Sequence, residues 1–309
     1  MIKIFREFQN KNKINTNNGR KMGMRNKKMV KKTIQNILFL APCAVVFFVF
    51  VIMPFLQGIP YSFRRWDGFS VDYTIVGLEN YKNVLTDGSI AAPAVNTIKF
   101  AAMEVVFSNL FGLLLALGIS RNTRFHRILR TIYFMPYVIS IVLASYIWSY
   151  IFSDVCYSIL GMKNLLASPK TVIRGLAIIS VWKDTGYCMI VFLAALKSVP
   201  DEYYEVARVE GSKSLHTFVK ITLPLIVPAF TTNATLVLSW GLKVFEYPMV
   251  TTGGGPGTSS ESLAMYIYKN IFVYYKAGYG QAAAILFTLF LAVISFLVAS
   301  FFRSREVEV

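Results

Sequence analysis

The chain has 309 residues, 55% of them hydrophobic, and carries 32 Lys and Arg against 16 Asp and Glu, a formal net charge of +16. Soluble domains average roughly 45–50% apolar residues, and here the excess is gathered into blocks of the ~20 residues that a helix needs to cross a bilayer, which excludes an ordinary soluble domain. Most of the basic excess lies before residue 34, with Glu7 the one acid there, and only Phe5 and Phe8 stand among its bases, which is not the repeated interleaving that a stacking platform requires; nucleic-acid binding is set aside on that ground.

In chain order, the basic segment 1–33 is expected to be a flexible cytoplasmic tail. The first apolar block, about Ile37–Leu56, exceeds the ~7–15 residues of a signal-peptide core and has no small-residue cleavage site after it, so it reads as an uncleaved span. Further spans are expected at about Ile98–Ile119, Ile132–Phe152, Leu176–Leu196, Leu225–Phe245 and Ala282–Phe302. Unsatisfied backbone groups are costly in lipid, so spans of this length must be helices. Arg121, Arg124, Arg127 and Arg130 fill one loop without an acid, whereas the segment between the first two spans mixes Arg64, Arg65 and Lys82 with Asp67, Asp72, Glu79 and Asp87. Positive charge collects on the cytoplasmic side. Both termini and the loops at 120–130 and 197–222 are therefore expected in the cytoplasm.

Cys43, Cys156 and Cys188 form no disulfide framework or metal-ligand spacing, and His126 and His216 fall in short polar loops. Charges inside the spans are expensive and so informative. Glu104 lies in the second span and Lys183 and Asp184 near the middle of the fourth. They either pair with other helices or face a wetted path, and the sequence leaves both open. Lys183 and Asp184 are adjacent and are not expected to pair with each other on one helix. Asp184 and Tyr187 share a helical face, as do Val237, Trp240, Gly241 and Val244. A glycine beside a tryptophan suggests a shelf on which the C–H face of a sugar could lie, with Asp184 for its hydroxyls. Ordinary helix packing through a small residue is the competing and favoured reading of the Trp240–Gly241 face taken alone.

Residues 200–228, PDEYYEVARVEGSKSLHTFVKITLPLIVP, are amphipathic at first. Tyr204, Val206, Ala207 and Glu210 read as helix, Gly211 stops it, and Phe218, Ile221 and Leu223 lead into Pro224 at the expected start of the fifth span. A helix, a glycine turn and a second helix make a knob suited to a groove on another protein. The spacing of Glu205, Ala207, Gly211, Phe218, Ile221, Leu223, Pro224 and Pro228 resembles the EAA loop of binding-protein-dependent ABC importer permeases, with Val206 in place of the usual first alanine. Val76–Tyr81, Asn96-Thr97, Phe134–Tyr137, Trp182 with Gly186, and Thr252–Pro256 followed by Tyr268 and Phe272 resemble segments of the carbohydrate branch, of maltose and glycerol-phosphate type, in the family's order over residues 35–302.

The resemblance implies an all-α integral membrane protein with six transmembrane helices of the type I ABC importer permease fold, spanning residues 34–302 with a cytoplasmic end at 303–309. It implies a multi-pass protein of a prokaryotic cytoplasmic membrane, working with a second permease subunit, two ATPase subunits and an extracytoplasmic solute-binding protein, and importing a sugar, an oligosaccharide by expectation. Coupling to the ATPases would run through 200–222, and the substrate path through Asp184, Tyr187, Trp240, Gly241 and Val244. Gly253–Gly257 lacks the Lys-Ser/Thr of a phosphate-binding loop, so ATP and Mg are expected on the partner subunits and no cofactor or metal on this chain. An ion-coupled secondary transporter of a polar solute, using Glu104 or Asp184, is the alternative, and it leaves the 200–228 knob unexplained. A membrane scaffold without a solute leaves the buried charges unexplained.

Overall fold

The computed structural model describes residues 32 and 35–304, with Leu160 described by its backbone alone. The expected tail at 1–33 (Lys32 excepted) and residues 305–309 lie outside the described residues. The chain divides into two compact units, residues 1–60 and 61–309. Helix α1 (Gln35–Ser62) is 28 residues long, and no residue of its most apolar window is buried, as suits a helix meant for lipid or another chain.

From Tyr61 onward a two-residue antiparallel ladder joins β1 (Arg64–Arg65) to β2 (Thr74–Ile75), with Arg64 opposite Ile75. The turn between them is pinned by Asp67, whose carboxylate accepts from the N–H groups of Phe69 (3.0 Å) and Ser70 (2.9 Å). The Ser70 hydroxyl and these two N–H groups lower the Asp67 pKa to about 2. Helix α2 (Glu79–Thr86) follows, with Asn80 buried and donating to the carbonyls of Ser62 and Arg64 (2.8 Å each). This hairpin and short helix were not legible as elements in the sequence.

Helix α3 (Ala91–Gly118) and α6 (Val172–Ser198) form the centre, and their crossing is set by small residues. A Cβ on Gly112 would lie 2.6 Å from Cys188 Cβ and 3.0 Å from Met189 N, so the backbones meet where no side chain fits. Phe192, Met189 and Leu176 on α6 are fully or almost fully buried.

The expected third span, Ile132–Phe152, is not one straight helix. It is α4 (Arg124–Val138) and α5 (Ile141–Tyr150, continuing in helical form to Ile159), bent by 98°. Ile139 and Ser140 are extended, and Ser140 caps the new helix by accepting from Leu143 N–H. Pro136 removes a backbone donor just before the break. Gly186 lets α6 come against this end of α4, since a Cβ there would strike the Tyr133 carbonyl and Phe134 Cα.

Helix α7 (Asp201–Val209) and α8 (Ser214–Leu225) flank Gly211 at φ +70°. The N–H of Ser212 returns to the Ala207 carbonyl (2.9 Å) and that of Gly211 to Arg208 (3.1 Å), closing the helix end through a left-handed glycine. The fifth span begins later than expected. Pro224 belongs to α8, and α9 (Val227–Leu242) starts after a 62° bend at Ile226. Pro228 has no N–H for the Pro224 carbonyl, which breaks the ladder at that point. Helices α10 (Glu246–Thr252) and α11 (Leu263–Tyr268) precede the last long helix, α12 (Ala277–Arg303). Among the described residues four helices are long and apolar enough to cross a membrane, or up to six spans if each bent pair counts as one, so apart from the two-residue ladder the fold is helical and membrane-spanning as expected.

Candidate functional site

The break after α4 creates the chemistry of the site. A helix end leaves its last carbonyls without intrahelical partners, and Tyr137 is the second-last residue of α4. Lys183, 8% exposed on α6, donates from Nζ to the Tyr137 carbonyl at 3.0 Å and lies 4.7 Å from the centre of the Tyr137 ring. A cation at a helix C-terminus is favourable on its own account. The same ammonium is 3.7 Å from Asp184 Oδ1, both groups being almost fully buried. This corrects the expectation that adjacent residues would not pair: the four-carbon lysine stem reaches back across the helix surface, so neighbouring Cα atoms do not prevent a contact at the tips.

Around this ion pair lies a cavity of ≈ 500 Å³. Asp184, Trp240 and Val244, all expected on the path, line it together. Tyr187 stands beside it: its ring stacks on Tyr137 (5.3 Å between centroids, 29°) and meets Trp240 edge-on (5.2 Å, 64°). Tyr137 also leans on Trp240 at 6.3 Å, so Tyr137 and Trp240 form an aromatic wall of the cavity with Tyr187 packed against both from behind. Glu104, 1% exposed on α3, stands beside Asp184 and interacts with it electrostatically. Lys243, Glu246 and Tyr247 close the cavity from the α9–α10 junction. Acidic, basic, phenolic and indole groups thus converge at mid-helix depth, where an unpaired polar group would be costly.

Gly241 departs from the expectation of an open shelf. A Cβ there would run into Glu104 Oε2 and lie 2.8 Å from Ala101 Cα. The space beside the glycine is filled by α3, so this residue is a helix-crossing glycine and the packing reading holds for it. Sequence reasoning left out Tyr137 as a site residue, although Pro136-Tyr137 in an apolar block carried the signal: proline before an aromatic residue marks a broken helix. Glu246 and Tyr247 were missed because they follow the expected fifth span, and Lys243 was missed although it lies within the expected Leu225–Phe245 as a charge in an apolar block. A larger apolar groove of ≈ 1010 Å³ between α3, α4 and α6 has Arg174 as its one charged wall residue and offers few partners for a polar solute. Among the described residues no cluster of His, Cys, Asp or Glu could hold a metal.

The α7–α8 knob is held by its own core. Ala207 is buried, Phe218, Ile221, Leu223 and Pro224 are half-buried, and Tyr204 Oη is 3.2 Å from Thr222 Oγ1. Glu205 and Gly211 are exposed. So are Val206, where the motif departs from its usual alanine, and apolar residues that the motif did not single out, among them Val209 (89%) and Leu215 (75%).

Bent membrane helices around a buried polar chamber, with an amphipathic knob between two spans, define a membrane transport subunit. The chain belongs to the family of binding-protein-dependent transport system inner membrane components, whose family model matches residues 108–306. It is 31% identical over 287 residues to a probable starch degradation products transport system permease protein of Thermoanaerobacterium thermosulfurigenes, covering 91% of this chain and 98% of that one. It is 30% identical over 270 residues to a multiple sugar-binding transport system permease protein of Streptococcus mutans, covering 85% and 92%. Its fold matches a chain from the crystal structure of a bacterial ABC transporter involved in the import of the acidic polysaccharide alginate, with a TM-score of 0.75, 23% identity, and coverage of 91% and 99%.

Proposed function

We propose that this chain is the path-forming permease subunit of an ATP-driven sugar importer, with the chamber around Tyr137, Asp184 and Trp240 as its solute site. The carrying observation is the chamber itself. It sets carboxylates and a lysine, which exchange hydrogen bonds with hydroxyls, against indole and phenol faces that suit the C–H face of a sugar ring. The relatives named for starch degradation products and multiple sugars support a sugar as the class, and an oligosaccharide within it. A second permease subunit completes the path, and a solute-binding protein delivers the sugar from outside.

The α7–α8 knob docks into the ATPase subunits through Glu205, Gly211 and its exposed apolar residues Val206, Val209 and Leu215, with Ala207 packed beneath them. ATP and Mg are held there and not on this chain. Nucleotide-driven closure of the ATPases moves the knob and switches the chamber between two access states. Both termini and His126 are cytoplasmic, and Trp66 and Gly255 are outside, in a prokaryotic cytoplasmic membrane. Reconstituted in proteoliposomes, Trp240→Ala and Asp184→Ala are expected to cut sugar uptake strongly while assembly and basal ATP hydrolysis stay near wild type. Unchanged uptake at limiting solute in both variants refutes the chamber as the site.

A further inference from the structure

Helices α5 and α10 run from the chamber to a second cleft. Ile141 at the start of α5 and Glu246 and Tyr247 at the start of α10 line the chamber. Tyr146 and Tyr150, further along α5, and Thr251 and Thr252 at the end of α10 line a cleft of ≈ 590 Å³. At ~1.5 Å per helical residue the two sites are roughly 10 Å apart along these helices. No charged residue lines the cleft, in contrast to the chamber. Tyr146 and Tyr150 are four apart, so they share one face of α5, and they are 62% and 64% exposed. Opposite them stand neutral polar groups. Thr251 Oγ1 donates to the Tyr247 carbonyl at 2.7 Å, which leaves its lone pairs as acceptors, whereas Thr252 Oγ1 is shared between the Pro248 carbonyl (3.0 Å) and Ser260 Oγ (2.7 Å). Asn164 Oδ1 accepts from Leu166 N–H at 2.8 Å, which leaves its amide NH2 as a donor.

We propose that this cleft is a second sugar subsite, on the outer side of the chamber, for the distal rings of an uncharged oligosaccharide whose leading rings occupy the chamber. The proposal rests on the reading of the chain as a sugar permease. Exposed tyrosines near a membrane surface also occur as an interfacial belt facing lipid. A belt has no use for polar groups beside its rings, and here Thr251, Thr252 and Asn164 come from other segments to line an open cleft together with the tyrosines. Rings on one side and uncharged donors and acceptors on the other are what a neutral pyranose chain requires, and a uronate or phosphate would find no cation there.

The test is uptake of maltose and of maltopentaose by the complete complex in proteoliposomes, with its binding protein supplied at limiting concentration. The Tyr146→Ala, Tyr150→Ala double variant is expected to lower the ratio of maltopentaose to maltose uptake about tenfold, the combined loss of two ring contacts. The double Tyr→Phe variant, which keeps both rings, is expected to restore most of the ratio. An unchanged ratio overturns the proposal. If both sugars then fall together and the binding protein is retained less well, the cleft is a protein-docking surface, and if neither falls, it is an interfacial belt. A wild-type complex that imports neither probe overturns this subsite for neutral glucose oligomers, while the sugar reading stands or falls on the uptake test of the chamber variants.

Discussion

Replacing Lys183 by methionine tests the chemistry of the chamber most sharply. The substitution keeps the volume and the apolar stem and removes the ammonium. Two groups then lose their partner: the Tyr137 carbonyl, which receives Nζ at 3.0 Å, and the Asp184 carboxylate at 3.7 Å. An unsatisfied buried acceptor costs roughly 1–3 kcal/mol, and a buried charge stripped of its partner roughly 3–5 kcal/mol. The Asp184 contact is long and borders a cavity that admits water, so the carboxylate share falls well below that range, to about 1 kcal/mol, beside about 2 kcal/mol for the carbonyl. About 3 kcal/mol in all is the expected loss. At ~2–4 °C per kcal/mol for a chain of this order of size, the permease complex in detergent should melt roughly 6–12 °C lower. Adding Asp184→Asn to Lys183→Met removes the uncompensated charge, and the double variant should recover the carboxylate share, about a third of the loss. A melting temperature for Lys183→Met equal to wild type, or a double variant no more stable than the single, would refute the pairing and with it the account of how the broken α4 is held.

Other expectations follow from single positions. Gly241→Val places side-chain atoms where Ala101 and Glu104 already lie; it should destabilise the permease by about 1–3 kcal/mol and reduce its recovery from membranes. A stable variant that merely excludes longer sugars would restore the open-shelf reading. Gly211→Asp forces a β-carbon onto a backbone at φ +70°, with open space around it, so strain and added charge act on the knob without an internal clash. The complex should assemble while solute-stimulated ATP hydrolysis falls, and wild-type stimulation in this variant would remove the knob from coupling. Single cysteines at 66 and 255 should react with an impermeant thiol reagent in intact cells and one at 126 only after permeabilisation; the reverse pattern inverts the topology.

The long spans were legible because burial in lipid demands unbroken apolar sequence: α3, α6 and α12 fall within a few residues of the expected blocks. The bend inside Ile132–Phe152 was not, because the residues immediately on either side of it are equally apolar, and the bend at Ile226 fell where an amphipathic segment runs directly into an apolar one. Ile139 and Ser140 look like any span residues until their extended backbone is seen, although Pro136, Pro224 and Pro228 mark where the hydrogen-bond ladder fails. The same limit governs the site. Asp184 and Trp240 stood out as polar and amphipathic groups in apolar helices, whereas the partner of Lys183 is a main-chain carbonyl that no sequence pattern displays. Gly241 shows the opposite difficulty: a small residue reads equally well as open space or as a close crossing, and only the facing helix decides between them.

The central claim is that sugar passes through the chamber. Val244, 6% exposed and on the chamber wall, provides a direct reporter once replaced by cysteine in a background without Cys43, Cys156 and Cys188. In the full complex, turning over with ATP and loaded binding protein, the Val244→Cys thiol should react with a small hydrophilic thiol reagent, and saturating transported sugar should slow that reaction several-fold. A modification rate that is the same with and without sugar, in a complex that still transports it, would contradict the account.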